Sequence, residues 1–431
     1  MQRIDNIRRR HARLSIAIGL LITLISQTLF MGDASAYQLF ERWTDTATSA
    51  GGSVGSPVTL TWGFVPEGTP IPGTGPSRLV QFFDEGFEVE NGEPGLVEER
   101  PWFSHYEETF DRWSQLSGVS FVYEPNDDGV SIGGAPGLLG VRPDIRIGGS
   151  ILDGGGGVLG AAEFPNSGDL ILDTGDYGFF MNQQDNYRGL RHVLMHEQGH
   201  SLGLAHVQSD DSAFLMEPFT NLNILGPQLD EIRGLHRAYG DVYEKLWDGR
   251  GNNTAARALD LGTLFEPTGL AIGTSVGIGP LATTVVENGE VDFVSIDDNS
   301  DIDFYSFFVE SELQLTATLT PVGPTYREGP QNSALSTTDS SSVSDLTLAI
   351  FDSNGIDILA LENSSTAGMV EVINELSLPR AGEYFVRITG SADDVQLYQL
   401  DLDVVSVPEP AAAVVLLGLG VCIAFTSLRK R

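Results

Sequence analysis

Apolar positions change rhythm partway along this chain, and the change divides it. In the first half they fall at helical spacing in two stretches: Tyr106, Phe110, Trp113 and Leu116, and again between Arg191 and Leu204. A period near 3.6 predicts amphipathic helices at both. Val58 to Phe64 alternates instead, as a strand does. Residues 51–240 therefore mix helix and strand signals, the mark of an α+β unit. A polar stretch from Asp248 to Asn253, within 241–256, reads as a linker. Beyond it come short alternating runs separated by turn residues: Phe304–Val309, Leu313–Leu319, Leu346–Phe351 and Tyr384–Ile388. Repeated short strands predict an all-β sandwich over 257–405. Within it, the Ser/Thr-rich segment Ser333 to Ser344 reads as a flexible loop.

Two longer apolar runs lie at the ends. Arg8, Arg9, Arg10 and Arg13 precede one from Leu14 to about Met31, followed by Ala34-Ser35-Ala36. This predicts a signal peptide over residues 1–36, removed by signal peptidase, with an uncleaved anchor as the alternative. At the other end, Val407-Pro408-Glu409-Pro410 leads into apolar residues from Ala411 to Leu428 and then Arg429-Lys430-Arg431. The stretch is just long enough to span a bilayer, with the basic tail on the cytoplasmic side. The order of motif, transmembrane helix and basic cluster over 406–431 resembles the PEP-CTERM sorting signal of Gram-negative bacteria. That resemblance implies processing by an exosortase near Pro408-Glu409-Pro410; a plain membrane anchor is the alternative. The expected location is outside the cell, at its surface or in its extracellular matrix.

Composition fits export. Among 431 residues, 59 acidic side chains face 24 basic ones, a formal charge of −35. Such a surface disfavours nucleic acid and anionic lipid as partners. The one cysteine, Cys422, lies in the C-terminal apolar stretch, so no intrachain disulfide forms.

The chemistry concentrates in His196-Glu197-Gln198-Gly199-His200-Ser201-Leu202-Gly203-Leu204-Ala205-His206, which fits H-E-x-x-H-x-x-G-x-x-H. Residues four apart share a helix face about 6 Å along the axis, so His196 and His200 can grip one metal ion. Gly203 tolerates the backbone turn that ends a helix, letting His206 arrive as third ligand from outside. Three protein donors leave the fourth position of a tetrahedral zinc open, as in catalytic sites, where zinc activates water and polarises a carbonyl. Glu197 sits about 100° round the helix from His196, placed to act as general base without being a ligand. Peptide-bond hydrolysis is the natural reaction. His192, one turn earlier, reads as a packing or surface residue.

With these residues in view, the chain resembles the metzincin metalloproteases, and within them the matrixins, over roughly Pro57 to Gly240. Phe214-Leu215-Met216-Glu217-Pro218 is similar to the Met-turn, with Met216 beneath the metal. Phe110-Asp111-Arg112-Trp113-Ser114 through Gly118-Val119-Ser120-Phe121 resembles the first helix entering the second strand, and Asp230-Glu231-Ile232-Arg233-Gly234-Leu235 the C-terminal helix. The resemblance implies Zn²⁺, a twisted mixed sheet with long helices, and a protein or peptide substrate. It also implies a structural Ca²⁺ on the loop Asp153 to Leu159, held by carboxylates of Asp153, Asp173 and Asp176 and carbonyls of Gly154, Gly156 and Val158. A glycine-rich surface loop is the alternative there. Pro218, Phe219 and Thr220 lie where the family builds the wall of its specificity pocket, but the aromatic usual at Thr220 is missing. Ala161 and Ile171 replace ligands of the family's second, structural zinc, which is not expected, and no cysteine switch is present.

In the second half, Asp301-Ile302-Asp303-Phe304-Tyr305, Asp352-Ser353-Asn354-Gly355 and Ala381-Gly382-Glu383-Tyr384 resemble the bacterial prepeptidase C-terminal (PPC) domain, which implies a jelly-roll-like sandwich. Asp297, Asp298, Asp301 and Asp303 read as a solvated acidic turn or a further calcium site. Two functions fit: a secreted or surface-anchored zinc endopeptidase with Glu197 as base, or a surface adhesion protein whose protease-like domain no longer cuts. The intact Glu197 favours the first.

Overall fold

The computed structural model describes residues 37–49, 51–89, 96–133, 135–210, 213–276, 286–287 and 289–406. The expected signal peptide and the apolar C-terminal stretch lie outside them. Among the described residues no helix is long and apolar enough to cross a membrane.

The first domain is built on a five-stranded sheet of order β2-β1-β3-β5-β4. Its strands are β1 (Val58–Phe64), β2 (Val119–Tyr123), β3 (Ile145–Ser150), β4 (Gly160–Ala162) and β5 (Leu170–Asp173). Four run parallel; only β4, at the edge, is antiparallel to its neighbour. The alternation read in Val58–Phe64 is the inner part of this sheet, where Leu60, Trp62 and Phe64 are buried. Helix Phe103–Gln115 lays Tyr106, Phe110 and Trp113 on the same core. Helix Arg188–Ser201, the metal helix, adds Leu190, Val193 and Leu194. The Gln198 side-chain amide, fully buried, donates to Thr109 Oγ1 at 2.9 Å and ties the two helices together.

The second domain is all β. One sheet has the order β15-β14-β17-β10-β7 and the other β16-β11-β18-β8, with β9 also on β18. The first comprises β7 (Leu259–Thr263), β10 (Ile302–Val309), β14 (Leu346–Phe351), β15 (Ile358–Glu362) and β17 (Gly382–Gly390). The second comprises β8 (Leu270–Ile272), β9 (Val294–Ile296), β11 (Leu313–Pro321), β16 (Glu371–Leu378) and β18 (Gln396–Ser406). Tyr305, Leu348 and Val386 of one sheet share a core with Leu315, Leu400 and Leu402 of the other. That common core makes the pair a sandwich, and the four strands expected from alternation fall within β10, β11, β14 and β17.

The domains do not hang from each other by a loose tether. Leu116, Leu229 and Ile232 of the first share a buried cluster with Val276, Phe293, Val322 and Leu397 of the second. The segment read as a linker packs inward at Asp241, Glu244 and Asn252, all buried. The Ser333–Ser344 segment also departs from expectation. Ser336–Asp339 forms β13 and pairs with β12 (Thr325–Pro330), which pairs in turn with β6 (Val207–Ser209) of the first domain. Since most of β13 is exposed, it has no buried face to impose an alternating pattern, so periodicity did not reveal it. At the other end, Tyr37 to Trp43 also packs on the first domain, ahead of residue 51. Phe40 and Ala205 amides donate to Gly203 and Gln38 carbonyls, and Trp43 Nε1 to Ser201.

Candidate metal centre

The metal helix ends at Ser201, ahead of the expected Leu204, and the chain turns at Gly203. Gly203 has φ of +107°, and a Cβ there would collide with the carbonyl oxygen of Glu41. The chain reverses, and His206 returns to the helix face carrying His196 and His200. The three rings converge: His196 Nε2 is 3.2 Å and His200 Nε2 3.1 Å from His206 Nε2.

These short separations are not hydrogen bonds between neutral rings. Each Nδ1 already faces an oxygen acceptor: Leu215 O at 2.8 Å for His196, Leu204 O at 2.7 Å for His200, and Gln331 Oε1 at 3.1 Å for His206. A neutral imidazole has one N–H, so those contacts place it on Nδ1 and leave three Nε2 lone pairs pointing at one another. Protonation cannot relieve the repulsion. Burial, with the neighbouring rings' charges, pushes His196 well below its ordinary value and His200 down to about 3. A cation relieves it. Zinc–nitrogen distances of about 2.0–2.1 Å at tetrahedral angles put the nitrogens roughly 3.3–3.4 Å apart, close to what is seen. His196, His200 and His206 therefore fit a zinc ion.

Glu197 follows His196 on the metal helix and is buried, its carboxyl against the backbone of Gly160 on the edge strand β4, where a Cβ would come 2.9 Å from Glu197 Oε1. Burial pushes this carboxyl up to about 8; a dication held by the histidines would pull it back down. Met216 is buried with its sulfur against Gly199 of the metal helix. The turn carrying Met216 holds His196 by its main chain, through the Leu215 carbonyl. It is itself held by Glu231, whose Oε1 accepts the Met216 amide at 2.9 Å and whose Oε2 accepts the Gln228 amide in a capping box.

The other expected site residues are placed as follows. Asp173 accepts the amides of Asp153, Gly154 and Gly175, Asp176 Oδ1 accepts Gly156, and Asp153 Oδ2 accepts Val158. These carboxylates thus order the glycine-rich loop, while Asp176 Oδ2 is buried without a partner. Pro218 is half-buried, Thr220 exposed, and Phe219 is 81% exposed. His192 is buried, with Nδ1 3.3 Å from Ile224 O, and packs as expected. The acidic turn is not wholly solvated: Asp297 and Asp303 are buried, and Glu244, Asp301 and Asp303 offer carboxylate oxygens within 4.8 Å of one another.

Two supporting residues escaped the sequence reading. Glu231 carried a usable signal, since Gln228 and Glu231 stand at the N-cap and N3 spacing of a capping box. Gln331 carried none, being 125 residues from the ring it touches.

Residues 87–240 match the matrixin family of peptidases. The three converging histidines lie inside the matched segment. Over 146 residues, 30% of this chain, it is 31% identical to matrix metalloproteinase-16 of Rattus norvegicus, covering 22% of that protein. Over 34% of the chain it is 31% identical to the hatching enzyme of Paracentrotus lividus, covering 23% of it. The chain thus spans about a fifth to a quarter of the length of these two relatives. A solved prepeptidase C-terminal domain of a Bacillus anthracis collagenase is 12% identical and covers 34% of this chain and 94% of that one, with a TM-score of 0.20. That score is too low to assign the second domain's fold.

Proposed function

We propose that this chain is a secreted or surface-anchored zinc-dependent endopeptidase acting on protein or peptide substrates. One observation carries the reading: three half-buried imidazoles whose Nδ1 atoms are each tied to an acceptor and whose Nε2 atoms face one point. Zinc, when bound, supplies Lewis acidity toward water and the scissile carbonyl. His196, His200 and His206 hold it, and the Leu215 and Leu204 carbonyls fix two of the rings. The Glu197 carboxylate takes the proton of the attacking water and passes it to the leaving amine nitrogen. Its buried position keeps that proton from bulk solvent.

The proposal extends to a structural Ca²⁺ on the loop from Asp153 to Val158, supported by the unpartnered buried oxygen of Asp176. Pro218, Phe219 and Thr220 are proposed as a wall of the substrate cleft. Export, signal-peptidase cleavage after Ala36 and exosortase processing near Pro408-Glu409-Pro410 rest on the sequence motifs.

The test is zinc content and casein cleavage of the full chain beside Glu197→Gln. We expect both to hold one zinc, and the variant to cleave about 10²–10⁴-fold more slowly, the usual loss on removing a general base. Equal background rates in two zinc-loaded proteins would sink the enzyme reading.

A further inference from the structure

We infer that Gln331, on a hairpin of the second domain, is the positioning residue for the third metal ligand, so that both domains build the metal centre. This deepens the zinc reading above and rests on it. His196 and His200 have their outer nitrogens held by main-chain carbonyls of the first domain, Leu215 and Leu204. The outer nitrogen of His206 faces a side-chain oxygen, Gln331 Oε1, at 3.1 Å. That oxygen can only accept, so it fixes the proton on Nδ1 and leaves Nε2 bare toward the other two rings.

The hairpin is fastened independently of that side chain. β12 pairs with β6 at Glu328–Ser209, Gly329–Gln208 and Pro330–Val207, immediately after His206. The Asn332 amide donates to Gln208 Oε1 at 2.7 Å, and the Gln331 amide to the His206 carbonyl at 3.4 Å. Below the tip, Tyr326 OH donates to Asp230 Oδ1 at 3.1 Å and accepts from Arg233 at 3.0 Å, while its ring meets Phe214. Asp230 and Arg233 belong to the helix Leu229–Tyr239, which also carries the Glu231 clamp on the Met-turn. The second domain is thus anchored to the helix that steadies the centre from below and reaches over to steady His206 from the side. An outer-shell partner of this kind is worth about 10–100-fold in metal affinity.

The experiment uses the full chain with Gln331→Met, which keeps length and loses the acceptor, and Gln331→Glu, which keeps an acceptor. Zinc affinity is measured by competition with a chromophoric chelator, the cobalt-substituted protein gives a visible spectrum of the ligand set, and metal-free melting reports the fold. We expect Gln331→Met to bind zinc about 10–100-fold more weakly with an altered cobalt spectrum. Gln331→Glu should bind at least as tightly as the parent, and all three should melt alike without metal. A Gln331→Met protein that holds zinc like the parent overturns the inference, as does an equal loss in both variants or a matching fall in metal-free melting. A parent that binds zinc without cleaving casein defeats the endopeptidase reading and leaves this inference standing; a parent that binds no zinc defeats both.

Discussion

Gly199 lies in the last turn of the metal helix, where alanine is still favoured, by up to about 1 kcal/mol. The packing reverses that preference. A Cβ at Gly199 would lie 2.5 Å from Met216 Sδ, 3.2 Å from Met216 Cε and 3.4 Å from Trp113 Cζ2. Met216 and Trp113 are both buried. To regain an ordinary carbon contact of about 3.5–4.0 Å the sulfur must retreat by roughly 1 Å. Overpacking of this kind costs about 1–3 kcal/mol, so Gly199→Ala should be destabilising by about 1 kcal/mol once the helix gain is subtracted. In a domain of roughly 200 residues that lowers the melting temperature by about 2–4 °C. The metal reports more directly. Retreat of Met216 drags the preceding Leu215 carbonyl away from His196 Nδ1, now 2.8 Å distant, and zinc affinity should fall about tenfold. Melting with and without zinc, and chelator competition, measure both effects. Met216→Ala added to each background completes a cycle, with a coupling of about 1 kcal/mol or more expected because the truncated side chain makes room. If Gly199→Ala raises the melting temperature with unchanged zinc affinity, or the cycle shows no coupling, the packing argument fails.

Two other outcomes follow from buried neighbours. Gly160→Ala places a methyl 2.9 Å from Glu197 Cγ and Oε1, so kcat for a peptide substrate should drop about tenfold with zinc content unchanged; full activity would show that Glu197 does not need that space. Burial, then Asp301 and Asp241, pushes Glu244 up to about 9, with Arg257 pulling the other way and Asp297 and Asp303 close by. A folded value above the unfolded one adds stability below the ordinary carboxylate range and loses it as pH rises toward about 9. The metal-free chain should therefore melt lower at pH 9 than at pH 5, and Glu244→Gln should shrink that difference; an unchanged slope would refute it.

The converging histidines were legible because their spacing is a local property of one helix and one turn. His196, Glu197, His200, Gly203 and His206 lie in eleven consecutive positions, so helix geometry alone predicts their convergence. The buried strands of the second domain were legible through alternation, and helix Phe103–Gln115 through its apolar period. What escaped depends on distant chain segments. β13 has no buried face to leave a pattern, Gln331 reaches His206 only through strand pairing, and Glu231 contacts the Met-turn across a loop. The packed 241–256 segment was polar enough to read as a linker because its Asp241, Glu244 and Asn252 are buried against other polar groups. The carboxylates of the Asp153 loop were read as ion ligands, and the structure adds a use the pattern did not signal: they accept backbone amides of the loop itself.

The strand β6 has one neighbour among the described residues, β12, and that neighbour lies more than a hundred positions downstream. During synthesis, the stretch following His206 must wait for residue 330 before it can take its final shape. A pairing so far apart in sequence is slow to close, since a long loop has to be gathered first. The order of assembly therefore delays completion of the histidine cluster until most of the polypeptide has been made.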